Sequence, residues 1–253
     1  MRIHRDQIRP NLTNPFTHGL LRVKLSPILF IRKILSPTSK GKLRSLTMSS
    51  SHSSKEGEKV VILTNFTVEK VEEHFDNIAE QYDYWKKKNS YYYTFLKNFF
   101  REYVPPSSCV IEFGCATGDI LASTKPSYGV GVDNSLRMVE AAQKKHSQLN
   151  FIKADVGSLS LNKKFDYVIM SDLIEHTHDI IGVVRSANRT LHQGGKLLIS
   201  TLNSLWGPII TVAEKLKMKM PEGPHNFVRN CDIIPIVESA GFKIEETGGR
   251  LLC

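Results

Sequence analysis

The sequence predicts a doubly wound, mostly parallel α/β sheet over residues 59–253, and three observations carry that prediction. Short apolar runs recur at 109–113 (CVIEF), 128–133 (YGVGVD), 150–155 (NFIKAD), 165–171 (FDYVIMS) and 196–201 (KLLIST). Helix-patterned segments separate them, and the runs lack the alternation of a strand with one wet face, so both faces are expected to be covered. Acidic and glycine residues stand just past these runs, where open parallel sheets bind ligands.

The elements follow in order. Residues 66–104 are aromatic-rich and read as two or three helices closed by Pro105-Pro106. A glycine-bearing turn (114–118) follows the first strand. The helix at 134–146 opens on cap candidates Asn134 and Ser135 and ends on lysines, as a helix dipole prefers. A helix over roughly 178–192 leads through Gly194-Gly195 into the fifth strand. A helical insert, a further helix (NCDIIPIVESAGF) and a last strand (FKIEET) complete the domain. No internal repeat is visible.

Composition narrows the function. Hydrophobic residues make up 41% and charged residues 23%, which suits a soluble chain with a sizeable core. Cys109, Cys115, Cys231 and Cys253 form no CxxC pair, which argues against a disulfide scaffold or a cysteine-built zinc site. The net charge of +9 suggests a nucleic-acid binder until it is located. Residues 1–48 hold ten Lys/Arg and one acid, so the remainder is neutral overall and no nucleic-acid partner is expected.

Residues 1–58 therefore read as a basic, disordered extension with the composition of a mitochondrial transit peptide. The alternative is that Met48 is the true start, which places the protein in the cytoplasm. Residues 20–35 suit a short amphipathic helix interrupted by Pro27. Its uncharged run, Leu25–Ile31, is far too short to cross a membrane, so no stable membrane insertion is expected.

The strand ends carry the chemistry. Glu112 to Asp119 follow the first, Asp133 the second, Asp155 the third, and Ser171-Asp172 the fourth. A dinucleotide turn needs G-x-G-x-x-G, and the frame from Gly114 puts Ala116 and Asp119 at its second and third glycines. Asp119 also opposes a diphosphate. A nicotinamide-dependent oxidoreductase fails on that spacing. S-adenosylmethionine, which has no phosphate, matches better. Its ammonium suits an acidic strand end, its ribose hydroxyls suit Asp133, and its adenine amino group suits Asp155. The lack of basic residues at these strand ends supports this reading.

At these residues the chain resembles class I SAM-dependent methyltransferases of the methyltransferase-domain superfamily, which includes ubiquinone and menaquinone biosynthesis enzymes. IEFGCATGD is similar to that family's E/D-x-G-x-G-x-G turn, with Ala116 in place of the middle glycine. VGVDNS, KAD and FDYVIMSDLIEHTHD are similar to the motifs after the next strands, and FDNIAEQYDYW to the N-terminal lid over the cofactor. The resemblance covers about residues 66–250. It implies a Rossmann-like fold, SAM as cofactor and methyl transfer to a small-molecule acceptor, by family a quinone-like or lipid-linked hydroxyl. No N-P-P-Y tetrapeptide follows the fourth strand, so exocyclic base amines are not expected targets. The family sheet ends with a hairpin whose seventh strand lies antiparallel beside the fifth, and that last strand is expected to be missing here. An unpaired sheet edge is therefore expected. The alternative function, a catalytically inactive SAM-binding regulatory protein, rests on that edge.

The residues and the resemblance together give a cofactor-binding set of Tyr82, Glu112, Gly114, Cys115, Gly118, Asp133, Asp155, Val156, Ser171 and Asp172. His176 is the candidate catalytic base for a hydroxyl acceptor. Glu175 and His178 are expected to cap or face solvent, and no metal is expected. Tyr91–Tyr93 read as core packing, and Lys86–Lys88 and Lys215, Lys217 and Lys219 as solvated faces.

Overall fold

In a computed structural model, the structure describes residues 32–37 (as backbone), 66–202, 207–226, 228 and 230–248. The expected transit peptide and linker lie outside the described residues, apart from 32–37. Those six residues form a strand, β1 (Arg32–Pro37), where a disordered extension and a helix were expected.

The rest follows the alternation read from the sequence. Two helices, α1 (Val68–Lys88) and α2 (Ser90–Tyr103), meet at Asn89. Next come β2 (Cys109–Phe113), α3 (Asp119–Ser123), β3 (Tyr128–Asp133), α4 (Leu136–Lys145), β4 (Asn150–Lys153) and β5 (Phe165–Ser171). A 3₁₀ turn at Ile174–His176 leads to α5 (Ile180–Thr190) and β6 (Leu191–Ser200). The chain ends with α6 (Gly207–Lys215), α7 (Asn230–Ser239) and β7 (Phe242–Gly248). Ser135 caps α4 by accepting from the Met138 amide, and Asp179 caps α5 by accepting from Gly182.

The sheet order is β4-β3-β2-β5-β6-β1-β7. Strands β2 to β6 pair in parallel. Successive residues of one strand serve opposite cores. Ile111, Val168, Met170, Leu197 and Ile199 pack with Val183, Val184 and Ala187 of α5 and Ile233, Ile236 and Val237 of α7. Their neighbours Val110, Ile169 and Leu198 pack with Leu96, Phe99 and Phe100 of α2 and Leu121 of α3. Burial on both faces is why these strands read as continuous apolar runs.

The side of β6 where an open edge was expected is paired, and the sheet ends at β4 and β7 instead. β1 lies antiparallel to both β6 and β7, with Lys33 opposite Ile199 and Thr247. It takes the antiparallel place beside β6 that the resembling family gives to its last strand. The physical reason is simple: an edge strand presents unpaired amides and carbonyls, and any extended segment of suitable reach can satisfy them.

Candidate active site

The carboxyl ends of β2 to β5 open into a cavity of about 1580 Å³. A pocket for one small ligand occupies roughly 300–1,000 Å³, so this one has room for two ligands side by side. Of the sequence-derived set, Tyr82, Glu112, Gly114, Cys115, Asp133, Asp155, Val156, Ser171, Asp172 and His176 all line it. Gly118 does not. It sits at φ +76° at the start of α3, and a Cβ there would lie 2.6 Å from the Phe151 ring, so its glycine serves the turn.

The turn between β2 and α3 is built on two carboxylates. Glu112 is 1% exposed, and its Oε2 accepts from the Leu121 amide at 2.9 Å. Burial pushes its carboxyl well above the ordinary range. Asp133 accepts from the amides of Ala116 (2.8 Å) and Ser135 (2.9 Å), tying the turn to the start of α4. The Asn134 amide also bonds to this carboxylate, which still keeps a lone pair for a ligand donor. Cys115 is buried with its thiol pushed up by desolvation, so it is an inert packing residue.

Ala116 stands at φ +44°, a conformation that disfavours any Cβ. This is the position where the resembling family has glycine. Ala116→Gly is expected to raise stability by about 0.5–1 kcal/mol, the relieved strain exceeding the added chain entropy. It should also tighten SAM binding several-fold by withdrawing a methyl from the cavity wall. Thermal melts and calorimetric titration measure both.

α1 forms one wall of the cavity and is pinned to the turn by charge. Lys86, expected to be solvated, is 8% exposed. Its ammonium donates to the Thr117 hydroxyl, pairs with Asp119 at 2.5 Å and with Asp83 at 2.8 Å. Lys145 and His146 hold the other Asp119 oxygen, each at 2.9 Å. Desolvation would raise the Asp119 carboxyl, but Lys86, Lys145 and His146 together hold it far below its usual range. The site is therefore not free of bases, and Asp119 is fully compensated. Farther along α1, Asp76 accepts from the Ser135 hydroxyl, and Glu72 from Lys153 and Asn134.

Beyond β5 the chain turns sharply, with Asp172 at φ +50°. Its carboxylate accepts from the Ser200 hydroxyl at 2.8 Å and from the Tyr92 hydroxyl. Tyr92 and Tyr93 thus line the cavity rather than serving only as packing, and Tyr93 shares a hydrogen bond with Tyr82. Glu175 neither caps nor faces solvent. It is 3% exposed and accepts from the Thr201 hydroxyl (3.0 Å) and the Leu202 amide (3.3 Å).

Desolvation and the neighbouring Asp172 push Glu175 up to about 8. Its neutral form is favoured in the fold, so its contribution to stability is complete below about pH 4.5 and is lost as pH rises through 8. Glu175→Gln removes that dependence, and the Thr201 hydroxyl can turn to accept from the new amide. The variant is expected to match the wild type at pH 5 and exceed it by about 1–2 kcal/mol at pH 9, read from paired urea titrations.

His176 follows in the 3₁₀ turn. Its Nδ1 lies 2.9 Å from the Pro224 carbonyl, which can only accept, so Nδ1 carries the proton and Nε2 is left as an acceptor. Burial, with His225, His74 and Lys219 nearby, brings its pKa down to about 4 and keeps the ring neutral. Phe75 of α1 packs edge-on against the ring at 5.2 Å. The Glu222 carboxylate lies 3.9 Å from Nε2 and is paired with Lys219, another cavity residue expected to be solvated. Leu173, Ile210, Met218 and Met220 add apolar surface to the cavity wall. Among the described residues no group of three or more His, Cys, Asp or Glu side chains is placed to hold a metal ion. No helix among them is long and apolar enough to cross a membrane.

Comparison with known proteins agrees with this geometry. The chain is 26% identical over 163 residues to a ubiquinone biosynthesis O-methyltransferase of Xanthomonas axonopodis, a match covering 58% of this chain and 67% of that one. It is 29% identical over 154 residues to the enzyme of the same name from Pelagibacter ubique, covering 55% and 63%. The chain thus spans about two thirds of the length of these relatives. In fold it is similar to a SAM-dependent methyltransferase from Thermotoga maritima, described as a possible histamine N-methyltransferase. The TM-score is 0.58 at 21% identity, over 68% of this chain and 81% of the other. Residues 84–247 match the family described as the methyltransferase domain. The strand-end acids that line the cavity and this match agree: the chain belongs to the methyltransferase-domain family and is a class I SAM-dependent methyltransferase.

Proposed function

We propose that this methyltransferase acts on a hydroxyl of a small, largely apolar acceptor of quinone-like or lipid-like character, with His176 as its base. The observation that carries this is the fixed tautomer of His176, whose Nε2 is left to accept a proton in the cavity. Asp133 is assigned to the ribose hydroxyls and Asp155 to the adenine amino group. Gly114, Cys115, Val156 and Ser171 form the wall, and Glu112 and Asp172 lie toward the methionine end. When bound, S-adenosylmethionine supplies a methyl group already activated on a sulfonium.

The protein's work is therefore mostly alignment and exclusion of water. The apolar side chains around His176 exclude water, and Phe75 holds the ring in place. Nε2 takes the acceptor's hydroxyl proton as the oxygen becomes nucleophilic, and the Glu222 carboxylate 3.9 Å away faces the imidazolium that forms. The names of the O-methyltransferase relatives support an oxygen acceptor.

The test is methyl transfer from labelled SAM to a panel of catechols, hydroquinones and matched amines. Transfer to hydroxyls, with His176→Ala losing about 100- to 1,000-fold in kcat at unchanged SAM affinity, is the expected result. Transfer to amines alone, or full activity in His176→Ala, overturns it.

A further inference from the structure

The strand β1 comes from the part of the chain that composition marks as a leader, yet it sits inside the sheet with a partner on each side. Its register is specific. Lys33, Ile34 and Leu35 stand opposite Ile199, Leu198 and Leu197 of β6, and Arg32 to Pro37 run opposite Gly248 to Phe242 of β7. Among the described residues β6 and β7 do not pair with each other, so β1 is what joins β7 to the sheet.

β6 also leads directly into the site. The residue after Ile199 is Ser200, whose hydroxyl donates to Asp172, followed by Thr201, which donates to Glu175. The free edge of β6 is thus one residue from the groups that hold the turn after β5.

We propose that residues 32–37 are a working strand of the methyltransferase domain, so that the N-terminal extension decides whether the catalytic site is complete. A chain that begins at Met48, or one processed beyond Pro37, has an open slot between β6 and β7. Any removable leader is therefore confined to residues before Arg32. The slot is a strand-binding surface whose occupant is this chain's own N-terminal segment, held by backbone hydrogen bonds on both sides.

Hydrogen exchange on the full chain tests this without any substitution. Amides of residues 32–36 should exchange at least 100-fold more slowly than free peptide, in step with 197–199 and 242–248. Exchange of 32–36 at free-peptide rates overturns the proposal, whatever the enzyme's substrate. Ile34→Pro removes the amide of a central residue of β1. It should lose protection in 242–248 first, while 109–113 and 130–132 remain protected, and should weaken SAM binding at least tenfold. Unchanged protection at 242–248 in this variant equally overturns it. N-terminal sequencing of the protein recovered from cells completes the test. A first residue at or before Arg32 supports the proposal, and a SAM-binding form that starts after Pro37 sinks it.

The functional arm rests on the methyltransferase reading, whereas the exchange arm rests on the register alone. Failure of one is distinguishable from failure of the other.

Discussion

Replacing Asp133 with alanine is expected to raise the dissociation constant for SAM by at least about 100-fold, or roughly 2.8 kcal/mol. Two losses combine. The carboxylate assigned to the ribose hydroxyls disappears, and hydrogen bonds to a charged acceptor contribute about 1.5–3 kcal/mol each. The amides of Ala116 and Ser135 also lose their acceptor, which frees the turn after β2 from the start of α4. Asp133→Asn separates the two. It keeps one oxygen and the shape but loses the charge, so its affinity should fall between the alanine variant and the wild type. Calorimetric titration with SAM, with NADH as control, measures each. An Asp133→Ala variant that is folded and binds SAM as tightly as the wild type removes Asp133 from the cofactor site.

Lys86→Met is expected to cost about 3 kcal/mol of stability, visible as a lower urea midpoint at unchanged slope. Lys86 is nearly as buried as the core around it and meets Thr117, Asp119 and Asp83 at once. Its removal leaves Asp119 with Lys145, His146 and the more distant Lys97 at 4.0 Å, in a site that burial makes hostile to charge. The partner variant sharpens the argument. Asp119→Asn added to Lys86→Met should recover part of the loss, because the uncompensated charge is gone. Purely additive losses would mean that the two groups do not interact. Because the pair is shielded, the effect should persist in 0.5 M salt, whereas surface pairs fade.

The sheet and the strand-end acids were legible because each has a local cause. Burial on both faces leaves apolar runs, and a parallel sheet gathers its ligand groups at one end. Asp133 and Asp172 could thus be singled out from position alone. Lys86 was hidden in a run of three lysines whose other two are exposed. A signal was present nonetheless, since Phe75, Ala79, Tyr82 and Lys86 recur at helical spacing and share one stripe of α1. Following that stripe rather than the charge run would have turned Lys86 inward. Glu175 was misjudged because its acceptors' partners, Thr201 and Leu202, stand 26 and 27 residues away. β1 was not legible at all. A strand is defined by its partners, and nothing within Arg32–Pro37 encodes neighbours near the far end of the chain.

That distance has a consequence for synthesis. β1 leaves the ribosome well before its partners, since Ile199 and Thr247 follow roughly 165 and 215 residues later. At about 5–20 residues per second, β1 waits on the order of 10 to 40 seconds for them. During that interval β2 to β5 can pair among themselves, so the sheet grows from its middle outward and β1 is seated after strands made later than itself. The newborn chain therefore carries an unclaimed strand, open to capture by a chaperone or by another nascent copy, until β6 and β7 emerge.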